Sequence, residues 1–547
     1  MKLITNCHVI RLSTTAEIIS LIIGALDNRG DEFIIGFMDN KILQNKDLEP
    51  EIFITTNENV TVTVHITAPK AQGLHLDQTF TLTRGDVKQI KVPQALRHHE
   101  TELTSKGILI QSDHEIVVYG INKEVYSDDG YLALPTDALG KTYYTANYKT
   151  YYYAVFLVVG VQDSTHVSIQ LTTDNPVNVT FKGKHYKGGD WINVTMNRLD
   201  SLEIHSVGDL TGTKIVGDKP LSVLSGNKKA VVEDGLGGNS RDHLVEHLLP
   251  VQSWGKNFAT VPIPGRTTGD IFRFIASEGT TVVYVKGEKG GSTFNDHFVI
   301  PRAGSYVQKH YDSKLFAHIS ADKPIQVMQY SMTQAPNHES GDPAMITIPP
   351  IEQYASNYYF TTPKYSLGHY TNYFMFIVDA AQKNGLRLDN KPLPKNVVYH
   401  NIPGTNLTAG YVEITEGTHS VFHTNPKVLI GGLLFGRANL ETYGFPIGLL
   451  LTPINSNCLA KSMTPGDEVD NDCDGTIDEE RCDGKAREGI SNNTRLQHPQ
   501  QDPKNTQCKN KEQTSTERDA KGTRNANAQH RNIKHDYPEV SKNDHVR

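Results

Sequence analysis

The chain has 547 residues, 37% of them hydrophobic and 21% charged, which at roughly 100 to 200 residues per domain is length for three or four domains with real cores. Lys and Arg number 54 against 61 Asp and Glu, a formal net charge of -7, so the basic excess of a nucleic-acid binder is missing. No apolar run approaches the ~18 residues that cross a bilayer, so no membrane span is expected.

Residues 1–26 come first in chain order. Lys2 and Arg11 lead into the interrupted apolar run from Ile18 to Leu26, with small Gly24 and Ala25 near its end. This stretch reads equally as a candidate signal peptide and as a buried first strand.

The body that follows is built on a repeat. Its clearest marker is a turn feeding an apolar strand: Asp113-His114-Glu115-Ile116-Val117, Asp218-Lys219-Pro220-Leu221-Ser222-Val223 and Asp322-Lys323-Pro324-Ile325-Gln326-Val327, with a weaker copy at Asn425-Pro426-Lys427-Val428. The marker positions are 105, 104 and 103 residues apart. Asp or Asn can cap its own backbone, and Pro fixes φ for a tight reversal. Upstream of each marker an aromatic and apolar run is expected to form a strand: Phe33 to Phe37, Tyr153 to Val158, Ile271 to Ile275 and Tyr373 to Val378. A second, alternating run follows at Val60 to Val64, Val167 to Ile169 and Val282 to Val285, where Thr and Val at period two favour half-buried strands.

Between copies a junction element recurs. Leu134-Pro135, Leu249-Pro250 and Pro349-Pro350 are followed eight residues after the last Pro by Tyr143, Phe258 and Tyr358. Short strands in units near 100 residues predict an all-β chain of four tandem β-sandwich-like repeats, over 27–126, 127–228, 229–332 and 333–452. A four-bladed, propeller-like closure is the alternative, although a propeller blade is about half this length.

Several phrases in this order resemble the IgGFc-binding N-terminal domain family, over roughly 28–452: Asp27 to Phe33, Tyr131 to Pro135, Leu248-Leu249-Pro250 with Trp254-Gly255, Ile348 to Gln353, and Tyr443 to Pro446. The resemblance implies a secreted, non-enzymatic recognition domain of mucosal and innate-defence proteins, with a protein or glycan ligand on an extracellular surface. It does not imply that this chain binds immunoglobulin.

After the body, 453–484 form a Cys- and Asp-rich segment. In the run 470–480, Asp470, Asp472, Asp474 and Asp478 stand at positions 1, 3, 5 and 9 of a calcium loop, Gly475 at position 6, and Thr476 can offer its carbonyl. Position 12 is Arg481, so either Glu479 or Glu480 replaces the usual Glu, or the site is weaker than an EF-hand, or it binds something else. Calcium is therefore the expected cofactor, and the segment resembles a short metal-binding motif found after adhesive domains. Cys458, Cys473, Cys482 and Cys508 are disulfide candidates, while Cys7 stands apart. From 485 to 547 the chain is polar, with thirteen Lys and Arg against eight Asp and Glu, and is expected to be disordered. Nothing in these residues specifies an oligomeric state.

Other motifs compete with this reading. Sequons begin at Asn59, Asn178, Asn193, Asn406 and Asn492 and are glycosylation candidates. Arg29-Gly30-Asp31 and Arg84-Gly85-Asp86 would suit an integrin-type matrix adhesion protein if they sat on exposed loop tips. His243-Leu244-Val245-Glu246-His247 matches an inverted zinc-hydrolase pattern, which needs a helix to bring both imidazoles to one face. Gly140-Lys141-Thr142 lacks the leading glycine of a phosphate loop.

Overall fold

Each repeat folds as a sandwich of two antiparallel sheets, and burial separates the two. In one sheet the central strands are covered on both faces: every residue of Ala154–Gly160 and of Asp270–Ala276 is buried. In the other the pattern alternates, as in Val62–Thr67 and Thr165–Gln170, where Val and Ile face inward and Thr63, His65, His166 and Ser168 face out. Period-two patterning thus forms the outer sheets, and continuous apolar runs form the inner ones. The computed structural model describes residues 26–40, 48–149, 152–232, 240–334, 341–364 and 368–455. The only helical pieces among them are single 3-10 turns.

The inner sheets share one strand order. In the third repeat it runs Tyr306–Tyr311, Asp270–Ala276, Ile325–Ser331, Ala344–Thr347, and in the fourth Leu407–Ile414, Thr371–Asp379, Ile430–Ala438, Glu441–Pro446, with His400–Asn401 added at the edge. The second repeat matches, through Ser201–Ser206, Ala154–Gly160, Leu221–Ala230 and Asp242–His247. Its edge gains Glu102–Thr104, a strand contributed by the first repeat. In the first repeat the inner order is Val87–Lys91, Glu51–Thr55, Ile108–Ile121, Gly130–Leu132, and the long strand Ile108–Ile121 serves both sheets. The last inner strands, Gly130–Leu132, Asp242–His247 and Ala344–Thr347, lie beyond the limits drawn at 126, 228 and 332.

Two expectations about local structure are corrected. The Asp-Lys-Pro marker is not a reversal: it is where the chain passes from the outer sheet (Lys214–Gly217, Leu315–Ala321) to the inner one (Leu221–Ala230, Ile325–Ser331). Its Asp caps the neighbouring strand instead of its own turn. Asp113, Asp218 and Asp322 each accept a backbone N–H at 2.8 Å, from Thr63, His166 and Val282 respectively. Asn425 departs, accepting from Lys427 two residues on. Second, Phe33 to Phe37 is not the counterpart of Tyr153 to Val158. Gly30–Ile35 lies in the outer sheet, and Glu51–Thr55 takes the central inner position. Both are short buried apolar runs, which periodicity alone does not distinguish.

The junction element has a steric and polar logic. After Pro135, Pro250 and Pro350 come the 3-10 turns Thr136–Ala138, Val251–Ser253 and Ile351–Gln353. Each Pro packs on a glycine of the preceding repeat: a Cβ at Gly30, Gly140 or Gly255 would lie 2.4, 2.5 or 2.2 Å from Cβ of Pro135, Pro250 or Pro350. The Tyr143 hydroxyl accepts from Gly140 N–H at 2.8 Å and donates to Leu221 O at 2.7 Å. Tyr358 repeats this with Ala355 N–H at 2.7 Å and Ile430 O at 2.6 Å.

The four last inner strands, Gly130–Leu132, Asp242–His247, Ala344–Thr347 and Glu441–Pro446, pack in cyclic order around a common axis. The ring closes where Leu26 to Asn28 meets Leu449 to Leu451. Asn28 N–H donates to Leu449 O at 3.2 Å, Leu451 N–H to Leu26 O at 2.7 Å, and Leu449 N–H to Asn28 Oδ1 at 3.0 Å. The propeller-like alternative therefore describes the arrangement, with a whole sandwich in place of each blade.

Candidate functional site

The closing seam, between the first and fourth sandwiches, carries a cavity of about 820 Å³, within the size range of ligand sites. Its polar lining includes Asp27, Arg29, Asn57, Arg84, Glu115 and Asn390, with Tyr358, Tyr359 and Phe422 as aromatic walls. Arg29 is fixed by Asp27, with Nη2 to Oδ2 at 2.5 Å and Nε to Oδ2 at 3.0 Å, and its Nη1 lies 3.4 Å from Glu115 Oε2. Arg84 is exposed and donates to Asn59 Oδ1 at 2.9 Å. Asn57 Oδ1 is shielded from solvent and has no hydrogen-bond partner, a cost that a ligand donor would relieve. Alternating carboxylates, guanidiniums and amides between aromatic rings can hold a neutral or zwitterionic polar ligand through many directional bonds.

Both Arg-Gly-Asp triplets reach this seam. Gly30 opens the strand Gly30–Ile35 and is buried against Pro135, so the first triplet is part of a sheet and not a loop tip. The second lies on the surface between Asp77–Leu82 and Val87–Lys91, with Gly85 at φ +91° and the Tyr359 hydroxyl above it. Asp86 accepts from Thr83 N–H at 2.8 Å and from its hydroxyl at 2.7 Å, and these bonds hold its carboxyl below the usual range. Spacing brought Arg29 and Arg84 to notice as separate motifs. Asn57, Glu115, Asn390 and Tyr359 carried no sequence signal, because the seam joins residues hundreds of positions apart.

A second concentration of polar groups lies along the axis. Asp129 Oδ2 accepts the N–H groups of Val245 and Met345, each at 3.1 Å, and so ties three sandwiches together. Glu246 Oε1 accepts from Thr347 N–H at 2.7 Å, and the Tyr370 hydroxyl donates to Asp128 Oδ2 at 2.6 Å. Burial pushes the carboxyls of Asp128, Asp129, Asp242 and Glu246 upward, and Asp342 to about 7.

The zinc-hydrolase pattern falls on this axis and is corrected by it. Residues 243–247 lie in the strand Asp242–His247, not a helix, so the two histidines stand four strand positions apart, roughly 13 Å along the backbone. His243 Nε2 meets Asn122 Nδ2 at 2.9 Å, and His247 Nδ1 accepts from Leu134 N–H at 3.1 Å. Burial lowers both imidazoles to about 3, so they sit neutral in the core.

Among the sequon asparagines, Asn59, Asn178, Asn193 and Asn406 are exposed. Asn492, the calcium-loop residues Asp470, Asp472, Asp474, Thr476, Asp478 and Glu479, and Cys458, Cys473, Cys482 and Cys508 lie outside the described residues, as does the 1–25 stretch. Among the described residues no helix is long and apolar enough to cross a membrane.

Comparison of the sequence with known proteins points to one family. The human IgGFc-binding protein is 24% identical over 454 residues, covering 81% of this chain but only 8% of that protein's length. A family model described as IgGFc binding protein matches residues 129–435, from the axial strand of the first sandwich to the strand before the fourth axial one. More than half of the sequence lies within that match, and the chain belongs to the IgGFc-binding protein family.

Proposed function

We propose that this chain is a secreted, non-enzymatic recognition protein that takes a protein or glycan ligand on an extracellular surface, in a mucosal or innate-defence setting, and that the closing seam is its binding site. The observation that carries this reading is the seam cavity itself, where an unpartnered Asn57 carbonyl, the exposed Arg84 guanidinium and aromatic walls converge. Family membership supports a binding role. The relative's name points to the Fc region of IgG as one ligand to try. In this reading the acidic segment around Asp470 to Glu479 holds calcium, the C-terminal cysteines staple it, and the exposed sequons carry glycans.

The test is surface plasmon resonance of the full chain against IgG Fc and against mucin-type glycans, with Arg84→Ala and Tyr359→Ala as variants. Binding of either ligand that weakens at least tenfold in both variants supports the seam. Wild-type affinity in both variants would move the site elsewhere.

A further inference from the structure

Where the first and second sandwiches meet, three potential metal ligands converge on one point. Glu203 and His205 are two residues apart on the strand Ser201–Ser206 and so share a face of its sheet. Asp39 approaches from the segment after Gly30–Ile35. The carboxylates of Asp39 and Glu203 are fully buried, and His205 nearly so. One ligand atom from each lies within 4.8 Å of the others, the only such set of three or more among the described residues.

The contacts within the set are informative. His205 Nε2 is 2.6 Å from Glu203 Oε1 and 3.8 Å from Asp39 Oδ2. Asp39 N–H is shared by both Glu203 oxygens, Oε2 at 3.1 Å and Oε1 at 3.3 Å, and Oε1 also faces the histidine. Asp39 Oδ1 is sealed from solvent and has no hydrogen-bond partner. Native carboxylate oxygens in such positions are nearly always satisfied. A fourth arm stands beside it, since His99 Nδ1, on a half-exposed side chain, is 3.8 Å from Asp39 Oδ1.

One cation is already present. Lys228 Nζ lies 2.5 Å from Asp39 Oδ2, on a partly exposed side chain. The ammonium reaches only one of the three ligand groups.

We infer that Asp39, Glu203 and His205 form a site for a divalent transition-metal ion of the zinc type, with His99, now beside Asp39 alone, turning in as a fourth ligand and Lys228 as the cation the ion displaces. Tetrahedral ligation at about 2.1 Å places ligand atoms about 3.4 Å apart, between the 2.6 and 3.8 Å separations found here. Mixed imidazole and carboxylate donors suit zinc better than calcium, which takes oxygen ligands. Lys228 can swing out to solvent as the ion enters, and Glu203 Oε2 remains bound to the Asp39 N–H as an orienting partner. The site would pin the first sandwich to the second and is independent of the seam.

The experiment is calorimetric titration of the chelator-stripped full chain with Zn2+, comparing wild type with His205→Gln, Asp39→Asn and Lys228→Met. The C-terminal cysteines could add zinc of their own, so the readout is the difference in equivalents between variants. Loss of one equivalent in His205→Gln, with binding at that site at least tenfold tighter in Lys228→Met, is the expected result. Circular dichroism melts of each variant separate site loss from misfolding, and Lys228→Met retains all four ligands should Asp39→Asn not fold. Equal stoichiometry in wild type and His205→Gln, or weaker zinc binding in Lys228→Met, would overturn the assignment.

Discussion

The outer sheets and the axis are held together by opposite means. In the outer sheets inward Val and Ile alternate with outward residues such as His166, Ser168, Tyr284 and Lys286, and Asp caps such as Asp218 and Asp322 add one hydrogen bond each at the surface. Around the axis nearly every residue is buried, and the sandwiches are joined by carboxylates that reach across to their neighbours' backbones. Apolar packing tolerates modest change at its rim, whereas a buried polar joint has no water to replace a lost partner. Sensitivity to substitution should therefore rise from rim to axis.

The strongest break in this comparison is Asp129→Ala. It strands the N–H groups of Val245 and Met345 and removes the acceptor for Gly130 N–H, so urea unfolding should show a loss of about 3 kcal/mol. Next comes Gly140→Ala at a junction, where the new methyl would meet Pro250 Cβ at 2.5 Å. Overpacking there should cost about 1–3 kcal/mol in the same assay.

Asp342 sharpens the contrast through pH. Its folded carboxyl is raised to about 7 by burial, with the nearby Asp128 carboxylate adding to the shift, above an unfolded value of about 4. Its contribution to stability is thus full below about pH 4 and lost as pH rises through about 7. Asp342→Asn, which stays neutral, should gain about 1–2 kcal/mol at pH 8 and flatten the slope between pH 5 and 8, measured by thermal melts across that range. The smallest effect belongs to the rim. Asp322→Ala loses only the exposed bond to Val282 N–H and should shift stability by about 1 kcal/mol or less in urea titrations. A rim variant more damaging than Asp129→Ala would invert the comparison.

Much of the outer architecture was legible because it is local. Val167 to Ile169 and Val282 to Val285 declare their sheet by alternation, and Asp113, Asp218 and Asp322 keep one spacing because each does the same job. The junction prolines and Tyr143 or Tyr358 were visible for the same reason. The axis was not, since nothing near Asp129 in sequence announces that Val245 and Met345 will come to its carboxylate. His243 and His247 misled because a five-residue pattern says nothing about whether its backbone is helix or strand. Phe33 to Phe37 misled because two buried apolar runs look alike until pairing is known. The seam was legible only as fragments: Arg29 and Arg84 stood out singly, while the cavity between them depends on residues of the fourth sandwich such as Tyr359 and Asn390.

The bond between Leu449 N–H and Asn28 Oδ1 spans 421 positions of chain. Closing so long a loop costs more entropy than any contact within one sandwich, though the cost grows only as the logarithm of length. High contact order slows folding, so single sandwiches should form early and ring closure last. Until residues 449–451 arrive, the faces of the first and fourth sandwiches stay open to water, which makes this stage the one most exposed to pairing between molecules. The cavity lies at this same joint, so the candidate binding site is completed only when the ring has closed.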